Sequence, residues 1–232
     1  MENPSYAKAD FPTLEPVSES FTTRLKNALD NEISFNGGYK NYCICIVDIV
    51  NSSKVTAALP KAKVCKYYSI FLNSMAMIAK EFGGKVVKNV GDSLLYYFPQ
   101  TSDNSDKHGF VDPLECSMAM IEAHGIINQK MREEGLPPVN YRISADYGSV
   151  VTAKTATSAN EDVFGATVNI CVKINHIATP NSMVIGSDLY EIVKPFDGYQ
   201  FEPVSVYSSG FKLQYPVYSV KYHKLRRWIF SA

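Results

Sequence analysis

From Tyr42 to Val50 the chain is almost wholly apolar (Tyr-Cys-Ile-Cys-Ile-Val-Asp-Ile-Val), and only Asp48 interrupts it. A run this short and this β-branched predicts a central strand. Asn51, Ser52 and Ser53 follow and suit a helix cap and first turn. Val64, Tyr68, Phe71, Met75, Ile78 and Phe82 then recur at three or four, which predicts a helix over 60–82. Pro60 opens it and Gly83-Gly84 closes it. Val86-Val87 and Leu94 to Phe98 read as two strands around a tight turn with Gly91-Asp92 at its tip.

The second half is patterned less evenly. Asp112-Pro113-Leu114-Glu115 predicts a helix start with Asp112 as cap, and that helix runs to about Glu134. Tyr141–Tyr147 and Val150–Ala153 read as a second strand pair around Gly148. Residues 154–161 are small and polar. A helix is expected from near Gly165 to Ala178, stopped by Pro180. Met183–Ile185 is a strand, and two aromatic-rich strands lie around Tyr199–Phe201 and Pro216–Val220. Upstream, Pro4, Pro12 and Pro16 mark residues 1–17 as an irregular arm. Phe21, Leu25, Ala28 and Leu29 behind Ser18 predict a short amphipathic helix.

This order predicts an α+β fold. One mostly antiparallel sheet carries helices on a face, with a ferredoxin-like βαββαβ core in the first half and additional C-terminal strands. The expected divisions are an arm and short helix over 1–40, one domain over 41–220, and a tail over 221–232. That tail mixes Lys221, Lys224, Arg226 and Arg227 with Tyr222, Trp228 and Phe230.

Composition narrows the function classes. The 232 residues carry 23 Lys+Arg and 23 Asp+Glu, so net charge is zero, and a protein living on nucleic-acid backbone would need a basic face. The five cysteines are odd in number and include no Cys-x-x-Cys pair, which argues against a disulfide framework and a structural zinc site. Cys43 and Cys45, two apart in the apolar run, are expected to share one strand face as buried thiols. The four histidines show no ligand spacing. Met1-Glu2-Asn3-Pro4 lacks the basic and apolar regions of a secretory signal, and no stretch approaches ~18 apolar residues. A cytoplasmic location and no integral membrane segment are expected.

Two carboxylates stand in costly settings. Asp48 ends an apolar strand, where its bland reading is a helix cap. Asp92 sits in a hairpin bend, where its bland reading is turn chemistry. In a βαββ core the first strand and the following hairpin lie side by side, so both side chains converge at one sheet position. Paired carboxylates there make an oxygen-rich site for Mg²⁺ or Mn²⁺. Ser52 and Ser53, with free amides at a helix start, offer donors to a phosphate. Phosphoryl transfer with two metal ions uses this arrangement.

These residues resemble the catalytic domain of the class III nucleotidyl cyclases, the adenylyl and guanylyl cyclases, over roughly 41–220. Val47-Asp48-Ile49-Val50-Asn51-Ser52-Ser53 is similar to the first metal motif. Gly83-Gly84-Lys85-Val86-Val87-Lys88-Asn89-Val90-Gly91-Asp92 is similar to the second, with its base-selecting lysine. Asp162-Val163-Phe164-Gly165-Ala166-Thr167-Val168-Asn169 is similar to the motif with the second base selector and the ribose-orienting asparagine. The resemblance implies that Asp48, Asp92 and the carbonyl of Ile49 hold two metal ions. It implies that Lys88 and Asp162 read the base, a donor and an acceptor that suit adenine, and that Asn169 orients the ribose. Lys212 falls where members contact the β- and γ-phosphates. The family's transition-state arginine is replaced by Lys173, which keeps the charge and loses the forked donor set. Asn51 replaces the usual glycine after the first motif, and asparagine tolerates a left-handed backbone.

The implied protein is a homodimer. Metal carboxylates come from one protomer, and base selectors with Asn169 come from its partner. The implied reaction makes 3′,5′-cyclic AMP and pyrophosphate from ATP. Two alternatives stand beside it: a pyrimidine nucleotide cyclase acting on UTP or CTP, and a catalytically weak nucleotide-binding regulatory domain, which the Lys173 departure motivates.

Overall fold

Side chains of β1 (Lys40–Ile49) alternate between two environments, as the pleat requires. Cys43, Cys45, Val47 and Ile49 enter the larger core cluster. Tyr42, Ile44 and Ile46 enter a smaller cluster on the other face. Ile44 is fully buried, and burying such a side chain stabilises by about 1.5–3 kcal/mol. Both faces are therefore covered, which explains the nearly continuous apolar run. Asp48 continues the alternation on the side of Ile44 and Ile46, the face that holds the candidate site.

In the computed structural model, residues 19–29, 38–103, 105–154, 161–208 and 214–223 are described. The expected arm over 1–17, Lys212, and the tail from 224 lie outside them. Helix α1 (Glu19–Leu29) belongs to a separate unit, residues 1–34. The second unit, residues 35–232, carries everything that follows. After β1 come α2 (Ser52–Ala57), α3 (Lys61–Glu81), and the hairpin of β2 (Lys85–Val90) and β3 (Ser93–Phe98). Next are α4 (Val111–Glu122), α5 (His124–Glu133), β4 (Tyr141–Lys154), β5 (Glu161–Phe164), α6 (Ala166–Asn175), β6 (Ser182–Gly186), α7 (Ser187–Val193), β7 (Tyr199–Ser208) and β8 (Gln214–Tyr222).

The eight strands form one mixed sheet in the order β2-β3-β1-β4-β6-β8-β7, with β5 paired to β4 off this path. The order β2-β3-β1-β4 is the ferredoxin-like core, and only β4 with β6 is parallel. Helices α3, α4, α5 and α7 supply residues to the larger cluster, led by Tyr67, Phe71, Leu114, Met120 and Leu189. Helix α6 and β5 cover the other face with Cys171 and Val163. The thiols of Cys43 and Cys45 lie 3.9 Å apart and buried, as the spacing predicts. Of the five cysteines only Cys65 is exposed. No helix among the described residues is long and apolar enough to cross a membrane.

Four expectations change. Residues 141–154 form one fourteen-residue strand and do not turn at Gly148. That glycine is there for space: a Cβ would lie 2.5 Å from Thr167 Oγ1 on α6. The second hairpin is instead formed by β4 and β5, a strand over Glu161–Phe164 that the small, polar character of residues 154–161 does not predict. The helix expected from Asp112 starts at Val111 and is interrupted at Ala123. Glu115 turns inward, where the Tyr199 and Tyr222 hydroxyls donate to its carboxylate. Finally, β8 runs to Tyr222, and Lys221 pairs with Glu202 at 3.0 Å.

Asp146 on β4 is 1% exposed. Its carboxylate accepts the Tyr215 hydroxyl at 2.8 Å and the Tyr147 N–H at 2.9 Å. Burial pushes this carboxyl up to about 7, the hydrogen bonds pull against that, and nearby Asp188 adds to it. The folded chain thus keeps a proton that the unfolded chain gives up in the ordinary carboxylate range. This group's contribution is full in acid and is lost as pH rises through about 7. Asp146→Asn should flatten the fall in Tm between about pH 5 and pH 7.5; an unchanged Tm-versus-pH slope would remove Asp146 as its source.

Candidate functional site

The site begins where β1 ends. Register pairs Asp48 with Ser93 on β3 and with Arg142 on β4. Ser93 Oγ donates to Asp48 Oδ1 at 2.6 Å. Arg142 Nε and Nη2 donate to Oδ2 at 3.4 and 3.3 Å. Both side chains of that ion pair are mostly buried. Asp92 immediately precedes Ser93 in the β2–β3 turn, where Gly91 takes a φ of 63°. The register therefore brings the turn carrying Asp92 to the end of β1, while the two carboxylates line different cavities.

Past Ile49 the chain turns sharply. Asn51 takes φ 58° and ψ 30°, a left-handed backbone that asparagine bears at lower cost than most side chains. Its carbonyl accepts from the Lys54 and Val55 amides at 3.1 Å and starts α2. Ser52 is buried and Ser53 exposed. Both line an open cleft of about 500 Å³ together with Tyr68, Gly91 and Asp92.

A second cavity, of about 290 Å³, lies on the α6 side of the sheet. Asp48, Lys88, Ser93, Asn169 and Asn175 line it beside apolar Ile46, Leu95, Val163 and Val168. A bulge in β2 between Val86 and Lys88 places Val87 in the core and leaves Lys88 at this cavity. Lys88 Nζ lies 2.5 Å from Asp162 Oδ2, and Lys85 pairs with Glu161 at 3.2 Å beside it. Asn169 is on the exposed face of α6 toward the cavity. Asn175 is buried, and its Nδ2 donates to the Ile46 and Arg142 carbonyls at 3.3 Å and to Ser144 Oγ at 3.2 Å. Those bonds fasten α6 over β1 and β4.

The structure thus brings Asp48, Lys88 and Asn169 to one cavity and pairs Lys88 with Asp162. Lys173 is exposed one turn beyond Asn169, about 6 Å along the helix, and does not line that cavity. Sequence reasoning missed Arg142, Ser93 and Asn175. A charged residue between Tyr141 and Ile143 in an apolar strand was the one available signal for Arg142. Its contact with Asp48 is a matter of register and has no local pattern.

The donor set fits a hard divalent cation. Two carboxylates and a backbone carbonyl are oxygen ligands of the kind Mg²⁺ and Mn²⁺ take. Among the described residues no three His, Cys, Asp or Glu side chains gather, so substrate oxygens and water would complete the shell.

A family model described as the adenylate and guanylate cyclase catalytic domain matches residues 36–220. The chain belongs to this family. Among solved structures of the fold, adenylyl cyclase CyaB from P. aeruginosa is 20% identical, with a TM-score of 0.72 over 81% of this chain and 97% of that one. Guanylyl cyclase Cya2 is 22% identical, with a TM-score of 0.69 over 79% and 93%. The cytidylate cyclase of Staphylococcus aureus is 25% identical over 174 residues, 71% of this chain. The match spans 41% of that relative's length. This cyclase domain therefore has structural neighbours named for adenylyl and guanylyl chemistry and a relative named for cytidylyl chemistry.

Proposed function

We propose that the chain converts ATP to 3′,5′-cyclic AMP and pyrophosphate. The Lys88–Asp162 pair at the mouth of the 290 Å³ cavity carries this reading. The ammonium donates to a ring nitrogen, and the carboxylate accepts from the neighbouring amino group. Adenine offers that acceptor and donor side by side. Lys88 and Asp162 pair with each other, so a base read by both would exchange one ion pair for two hydrogen bonds.

The reaction is intramolecular. The ribose 3′-oxygen bonds to the α-phosphorus, the bond from that phosphorus to the pyrophosphate oxygen breaks, and the hydroxyl proton leaves to solvent. Asp48, Asp92 and the Ile49 carbonyl would hold the two Mg²⁺ or Mn²⁺ ions. Such ions acidify the attacking hydroxyl and neutralise phosphate charge. Asn169 orients the ribose. Ser52 and Ser53 donate to phosphate, and Lys173 supplies positive charge. A homodimer with shared sites completes the reading: Asp48 and Asp92 serve one site, while Lys88, Asp162 and Asn169 serve the other.

A second reading, CTP to cyclic CMP, is favoured by the cytidylate cyclase relative. Cytosine presents its ring acceptor and amino donor in the same order as adenine, so the Lys88–Asp162 pair reads both. Ring size, set by the apolar wall of Leu95, Val163 and Val168, then separates them. Purified protein assayed with ATP, GTP, CTP and UTP and Mn²⁺ should cyclise ATP fastest; CTP or UTP turning over as fast overturns the adenylate assignment. Lys173→Arg, which restores the fork, should raise kcat with ATP about tenfold or more, and an unchanged kcat removes Lys173 from the phosphate chemistry.

A further inference from the structure

Asp48 divides its two oxygens between unlike partners. Oδ1 takes a neutral hydroxyl, Ser93 Oγ at 2.6 Å, within the range of charge-assisted O–H···O⁻ bonds. Oδ2 takes a permanent cation, with Arg142 Nε and Nη2 at 3.4 and 3.3 Å. The hydroxyl leaves the carboxylate's charge intact. The guanidinium neutralises it and occupies one of the two oxygens that the carboxylate could offer a divalent ion. Its two contacts converge on one oxygen at long distance and are not the parallel fork of a strong arginine–carboxylate pair, so the contact is one that can be exchanged.

We propose that Ser93 and Arg142 set the divalent-metal affinity of Asp48 in opposite directions: Ser93 is a positioning residue that orients the carboxylate, and Arg142 is a resident cation that the metal must displace. This rests on Asp48 being a metal ligand. Strand register supports it, because Ser93 and Arg142 flank Asp48 directly on β3 and β4. Ser93 is thus held by the sheet and stays in place when the metal arrives. Burial supports it as well: the ion-pair side chains are 19% and 15% exposed, so charge compensation there outweighs that of a solvated surface pair. The coupling is reciprocal, and metal at Asp48 releases the Arg142 guanidinium into the same space.

The test is direct Mn²⁺ binding to the nucleotide-free chain, read by electron paramagnetic resonance of free Mn²⁺. Ser93→Ala should weaken binding about tenfold, and Ser93→Thr, which keeps the hydroxyl, should bind as wild type does. Arg142→Met should tighten binding about fivefold or more, and Arg142→Gln should move it the same way. Damage to the fold weakens binding in any variant, so tightening identifies displacement. Unchanged or weaker binding in both arginine variants overturns the competition, and unchanged binding in Ser93→Ala overturns the positioning. Asp48→Asn separates the two levels. If it binds Mn²⁺ as wild type does, the metal reading of Asp48 itself fails; if it loses Mn²⁺ while the arginine variants gain nothing, only the competition fails.

Discussion

Asp48→Asn should lower cyclase turnover about 10³-fold or more, because a metal-ligated transition state draws several kcal/mol of charge stabilisation from its ligands. Asparagine keeps the shape and its Oδ1 still accepts the Ser93 hydroxyl, whereas its Nδ2 faces the Arg142 guanidinium and cannot accept from it, so the sheet should stay folded at the cost of that ion pair. The expected signature is a large fall in kcat with Tm within a few degrees of wild type. Adding Mn²⁺ to saturation should recover little. Turnover above about a tenth of wild type would mean that the phosphate chemistry does not run through this carboxylate.

The second large effect concerns which chain supplies which group. In one protomer Asp48, Lys88 and Asn169 line a single cavity, whereas a shared-site dimer assigns Asp48 to one centre and Asn169 to the other. Asp48→Asn and Asn169→Ala chains, differently tagged, can be co-expressed and the mixed dimer purified through both tags. Each parent dimer should be nearly inactive. The mixed dimer should regain about half of wild-type turnover, because a two-fold dimer of that composition contains one complete site and one doubly damaged site. A mixed dimer as inactive as its parents would place each site within one chain.

How far the fold is legible in the sequence depends on the range of the signal. β1, α3 and the β2–β3 hairpin are written locally, in an apolar run, a period near 3.6 and a Gly-Asp turn, and they appear where those patterns put them. β4 is not, because Gly148 reads as a turn until Thr167 is known to press against it. β5 is four residues long with two acidic side chains, too short and too polar to show a period. Glu115 fits a capping pattern, yet it faces two tyrosines that arrive from β7 and β8, more than eighty residues later. The candidate site divides the same way. Asp48 and Asp92 are conspicuous because each sits at a cost. Lys88, Asp162 and Asn169 rest on motif resemblance. Ser93 and Arg142 gain their meaning only from strand register.

The distribution of thiols has a practical consequence. Four of the five cysteines are shielded and Cys65 on α3 is open, so the native chain should take one equivalent of an alkylating reagent quickly and the rest only when the structure opens. Cys43 and Cys45 report on the sheet interior, and Cys116 on α4. Cys171 reports on α6, the layer that covers the 290 Å³ cavity. Comparing their labelling rates by mass spectrometry would rank the stability of the cavity's roof against that of its floor without a single substitution, and repeating it with each nucleoside triphosphate would show whether either layer is protected.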